Sequence, residues 1–169
     1  MLPGRYVLSR NTISIGGDYT LKDAAGATVM TFDGKLRFAA VFTAMDATGN
    51  ALFTGREHVL NLEQRFEFER DGVAHATMRR EWVGAIRLVG STDYRYVVTC
   101  RAGDRLETTG YVLTNWAIRR GDATVAQVES DGYVHTVDLV DGDDAAFVMT
   151  VVMGVVRLNK PPNIGSPAE

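Results

Sequence analysis

Cysteine is almost missing from this chain: among its 169 residues only Cys100 is one. An internal disulfide is therefore excluded, and so is a zinc cluster built from several thiolates. Histidine is scarce too. His58, His75 and His135 each stand alone, with no ligand partner at i+2 or i+4, so they are expected at the surface or rim rather than around a metal. Proline is confined to the ends, at Pro3 and in the tail PPNIGSPAE. Positive charge is not in excess: 18 Lys and Arg against 21 Asp and Glu leave a formal charge of −3, without the global basic field that nucleic acid selects. The nucleophile-elbow, P-loop and dinucleotide fingerprints are absent, and Gly16-Gly17 precedes a strand rather than a helix. The DGDD of 141–144 lacks the loop of an EF-hand. The opening MLPGRYVLSR has no apolar core of a secretory signal. Together these absences lead us to expect a cytoplasmic protein with no metal, no cofactor, no nucleic-acid partner, no transmembrane span and no catalytic motif. The one cysteine is expected to be a packing residue, against the alternative of a thiol nucleophile served by a histidine.

What is present is concentrated at the end. From Ala145 to Val156 only Thr150 and Gly154 interrupt an apolar run, with Asp143 and Asp144 in front and Arg157 and Lys160 behind. Acidic residues at the start and basic residues at the end complement a helix macrodipole, and an aspartate suits the N-cap. A helix apolar on every side must be surrounded, and this one falls short of the ~20 residues that cross a hydrocarbon core. The alternative is a strand, favoured by the valines but opposed by the length and the lack of alternation.

Upstream, Asp and Gly punctuate short alternating segments. In RFEFER (65–70), Phe66 and Phe68 oppose Glu67 and Glu69; in VAHATMRR (73–80), Ala74, Ala76 and Met78 oppose His75, Thr77 and Arg79. About a dozen such strands are expected, each with one wet face. RFEFERDGVAHATM (65–78) also resembles NWAIRRGDATVAQV (115–128), with Phe66 and Trp116 in matching places. A repeated hairpin implies pseudo-equivalent halves, and the small residues Ala74, Ala76 and Ala126 would leave room at the centre for the helix.

The run IGGDYTLKDAAGATVMTFDGKLRF (15–38), through Asp18, Tyr19, Leu21, Asp23, Gly26, Val29, Met30, Phe32, Gly34 and Lys35, resembles the start of LURP-one-related proteins. The middle hairpin and the closing acidic-then-apolar helix fit the same pattern. The resemblance implies the fold shared with tubby C-terminal domains and phospholipid scramblases: a twelve-stranded, closed antiparallel barrel threaded by a hydrophobic helix near the C-terminus. It also implies a binding role, since tubby domains hold phosphoinositide head groups on a basic patch.

The expected architecture is thus mainly β, a single domain over 1–160 with a disordered tail at 161–169. The expected function is that of a non-enzymatic module, peripheral at the membrane, for anionic phospholipid head groups or other phosphate-bearing ligands. Lys35, Arg37, Arg79 and Arg80 are its candidate binding residues. The alternative is a protein-interaction scaffold with a protein partner and no lipid.

Overall fold

Each alternating segment of the sequence pairs with its chain neighbour, and the last pairs with the first. The computed structural model describes residues 1–11, 17–35, 41–58, 65–82, 94–111, 114–140, 142 and 144–159. It contains β1 (Gly4–Arg10), β2 (Tyr19–Asp23), β3 (Thr28–Lys35), β4 (Val41–Asp46), β5 (Ala51–His58), β6 (Arg65–Arg70), β7 (Val73–Trp82), β8 (Tyr94–Cys100), β9 (Arg105–Tyr111), β10 (Asn115–Arg120), β11 (Ala123–Asp131), β12 (Val134–Leu139) and α1 (Ala145–Leu158). The twelve strands form one closed antiparallel barrel, sealed where Gly4 to Ser9 of β1 lie against Leu139 to Val134 of β12. Closure leaves no open sheet edge. Outside the seam, Arg5 reaches Asp138 through two hydrogen bonds of 2.8 Å.

The turns carry the residues their geometry needs. Asp71 and Gly72 both have positive φ, 52° and 73°, as a tight right-twisted hairpin requires. Asp46 accepts the Thr48 hydroxyl at 2.7 Å and the Thr48 and Asn50 backbone N–H groups at 2.9 Å each. With the Thr48 hydroxyl leading, these donors hold the Asp46 carboxyl at about 2.

The 145–156 run is a helix, and it fills the bore. Every residue from Phe147 to Val156 is buried, which a helix lying on a surface could not achieve. Phe68 and Phe147 meet edge to face at 5.8 Å between ring centroids, and Phe53 lies 5.5 Å from Phe147. Gly154 is where the wall comes nearest: a Cβ there would lie 2.9 Å from Phe68 Cζ and 3.0 Å from Met78 Cε. We call the mouth where α1 begins the upper mouth and the one where it ends the lower mouth. At the lower mouth Tyr96 Oη donates to Asn159 Oδ1 at 3.0 Å, and Arg157 Nη2 donates to the Gly17 carbonyl at 2.8 Å.

The duplication extends further than the sequence shows. In β6–β7, Phe68 faces Ala76 while Glu69 faces Ala74, leaving His75 as an extra, bulged residue. In β10–β11 the extra residue is Val125. The β2–β3 and β4–β5 hairpins bulge the same way, at Val29 and Leu52. These four hairpins all turn at the upper mouth. The bulge corrects one expectation: Ala74 is exposed rather than inward, because the extra residue reverses the alternation beyond it. Ala76 and Ala126 are buried as expected.

His135 is a second correction. It lies in the interior at 6% exposure rather than at the rim, with Nδ1 2.9 Å from Ser130 Oγ and Nε2 buried without a partner among the described residues. Burial pushes this imidazole below its usual range. The unfolded chain then takes up a proton at about pH 6.5 while the folded one stays neutral, so stability should fall as pH drops below that value. Ring-proton NMR checks the premise: the His135 signal should titrate at lower pH than an exposed histidine.

Candidate functional site

The expected binding residues fall into three different situations. Lys35 ends β3 near the lower mouth, exposed on the outer face, and Arg79 is exposed on the outer face of β7. Both point outward because alternation sends their neighbours Gly34 and Met78 inward. Arg80 is half-buried on the inward parity of Ala76 and Met78, opposite Tyr96. Arg37 lies outside the described residues. Lys35 and Arg79 share an end of the barrel but are separated by β4, β5 and β6, roughly 19 Å around the wall at about 4.8 Å per strand.

Other cations occupy that interval. Arg56 stands in the same cross-strand row as Lys35, with Val41 between them. His58, Arg65 and Arg79 form the next row toward the lower mouth. Some of these charges are compensated. Glu67 is bridged by Arg65 and by His58 Nε2, the latter at 2.9 Å. Burial pushes its carboxyl up, but His58 and Arg65 outweigh that and hold it below the usual range. Arg79 lies 3.8 Å from Glu81, which in turn binds Arg95 at 2.9 Å. Lys35 and Arg56 have no ion-pair partner among the described residues.

A groove of about 510 Å³ opens across β6, β7 and β8. Arg65 and Arg79 stand at its lower end, Thr77 and Thr99 face each other on its floor, and Arg101 lies toward the upper mouth, where its N–H donates to the His75 carbonyl at 2.8 Å. No carboxylate is among the lining residues. His75 also lines the groove, but its ring packs inward, 4.7 Å from Phe147 and 5.4 Å from Phe53. Its Nε2 is 3.8 Å from Asp144, which also lies 3.7 Å from Arg70. Asp144 holds the N-cap place with a left-handed backbone and makes no side-chain capping bond; its carboxylate faces Arg70 and His75 instead.

Cys100 lines the groove half-buried. Burial pushes its thiol up, Asp104 adds to this, and Arg120 opposes it, so the reactive thiolate is disfavoured at neutral pH. Among the described residues no group of three His, Cys, Asp or Glu side chains could hold a metal ion. No helix among them is long and apolar enough to cross a membrane.

Comparison with known proteins decides the family. The model of LURP-one-related proteins matches residues 5–155, from the first strand into the helix. The chain belongs to the LURP-one-related family. A solved X-ray structure of a protein from Arabidopsis thaliana superposes on this LURP-one-related barrel with a TM-score of 0.59, at 16% identity and over 94% of each chain. That likeness shows the shared fold. No curated protein matched the chain.

Within the LURP-one-related barrel, Arg56, Arg65 and Arg101 are the groups that inspection of the sequence missed. Strand parity places the first two on the outer face. Aligning the two hairpin repeats puts His75 opposite Val125, and in the structure each is the extra residue of a bulge.

Proposed function

We propose that this protein is a non-enzymatic binding module for anionic ligands, with phospholipid head groups as the leading class, acting in the cytoplasm at the periphery of a membrane. The observation that carries this reading is the row of outward cations near the lower mouth: Lys35 and Arg56, unpaired among the described residues, beside Arg65 and Arg79. An anionic leaflet attracts such groups by about 1 kcal/mol each, and salt screens the attraction.

Flotation with phosphatidylserine vesicles and neutral vesicles, at low and high salt, tests it. Binding should be confined to the anionic vesicles and weaken with salt. The double substitution Lys35→Gln/Arg56→Gln should lower the partition roughly thirtyfold at about 1 kcal/mol per cation. Binding that ignores both salt and the substitutions would overturn the assignment. A second reading, a protein-interaction scaffold, is favoured by the apolar rim that Met1, Leu2 and Val140 expose at the upper mouth, with Leu2 79% exposed. Failure to float with any vesicle, with no soluble phosphate ligand bound either, would select it.

A further inference from the structure

We propose that the groove across β6, β7 and β8 is a phosphate-binding site for a ligand with two phosphate groups, one held by Arg65 and Arg79 and the other by Arg101. The proposal takes its ligand class from the anionic-ligand reading and goes beyond it by naming a shaped site, distinct from the Lys35–Arg56 row.

Three features of the groove support it. The first is charge placement. Arginines close both ends, and no carboxylate lines the space between them. The step from Arg79 to His75, the neighbour of Arg101, is four residues, about 13 Å along an extended strand, which suits two anionic groups with a polar spacer. Guanidinium groups bind phosphate oxygens through paired N–H donors. Arg101 has no side-chain partner among the described residues. The second feature is the floor, where Thr77 and Thr99 sit directly across from each other and present two hydroxyls. The third is His75. At the three equivalent bulges the extra residue is Val29, Leu52 or Val125, so packing alone calls for an apolar side chain there. An imidazole in the fourth keeps the inward packing of its ring on Phe147 and Phe53 and places a polar edge, Nε2, toward the upper mouth, 3.8 Å from Asp144.

The competing carboxylates flank the groove, Glu67 as the cross-strand partner of Thr77. Glu67 holds Arg65, and Glu81 stands 3.8 Å from Arg79. A phosphate must draw both arginines from them, so Glu67→Gln should tighten binding severalfold. A purely structural role for these arginines predicts the opposite, a loss of order in the groove without gain in affinity.

The test is an amide NMR titration of the full chain with inorganic tripolyphosphate, paired with flotation on phosphatidic-acid and phosphatidylserine vesicles. Shifts should cluster at Thr77, Thr99 and Arg101. Arg101→Gln should weaken tripolyphosphate binding at least tenfold. His75→Val, which copies the residue of the equivalent bulge and so keeps the fold, should weaken it by a smaller factor. Shifts spread equally over Lys35 and Arg56, or unchanged affinity in Arg101→Gln, would overturn the site. The vesicle arms identify the source of the phosphate. If Arg101→Gln loses phosphatidic-acid vesicles but keeps phosphatidylserine vesicles, the Arg101 end of the groove takes a phosphomonoester head group. Groove binding of tripolyphosphate without flotation supports the site with a soluble ligand, and the membrane reading fails alone. Flotation that needs Lys35 and Arg56, with no tripolyphosphate bound, removes the groove and leaves the membrane reading standing.

Discussion

A chain ending at Gly142 should fail to fold. It would lose all of α1, including Phe147, Val148, Met149, Val151, Val152, Met153, Val155, Val156 and Leu158, each at most 8% exposed. Burying one such side chain contributes about 1.5–3 kcal/mol, so together they match or exceed the ~5–15 kcal/mol by which a typical domain is stable. The loss has a second part. Phe53, Phe66, Phe68 and Met78 point into the bore and are at most 2% exposed; without the helix they would line an apolar channel open to water. The expected product shows no cooperative thermal transition and binds a hydrophobic dye strongly. A sharp, reversible melt of the shortened chain would refute the enclosed-helix architecture.

The second large effect is a coupling between Gly154 and Phe68. Phe68→Ala should cost about 3–5 kcal/mol, because its ring is fully buried. Gly154→Leu should cost about 1–3 kcal/mol by overpacking, since even its Cβ would lie 2.9 Å from Phe68 Cζ; the better helix propensity of leucine recovers at most about 1 kcal/mol. In the double variant the leucine enters the space the ring has left. The two costs should therefore fall short of additivity by about 0.5–3 kcal/mol in urea denaturation. Strict additivity would show that residue 154 does not face Phe68.

The parts of this molecule legible in the sequence are those governed by local periodicity. RFEFER alternates, and Phe66 and Phe68 are indeed inward. The run from Ala145 has no polar face, and it is indeed enclosed. Bulges are harder to read, because VAHATM alternates in letters while its backbone does not: the extra residue at His75 shows only in the strand pairing, as it does at Val125, Leu52 and Val29. Distance around a closed wall is not local at all. The parity of Lys35 and Arg79 is written in their neighbours, whereas the three strands between them are a property of the whole sheet. The interior place of His135 was hidden for a similar reason, since a lone histidine in VHTVDL fits either face until the pairings of β12 with β1 and β11 are known.

The seam between β1 and β12 has a consequence for how the chain is made. Residues paired across it, such as Arg5 and Asp138, are 133 positions apart, and the segment that fills the bore leaves the ribosome later still. During synthesis, therefore, eleven strands can be present with neither their closing partner nor their filling. Their inward faces, rich in Phe and Met, would be exposed for as long as the remaining residues take to emerge, at about 5–20 residues per second. Closure must wait for β12 and α1 to emerge and is dominated by long-range contacts, which are slow to form. Nascent chains of this protein are therefore expected to need chaperone protection until the last turn of the helix has been delivered.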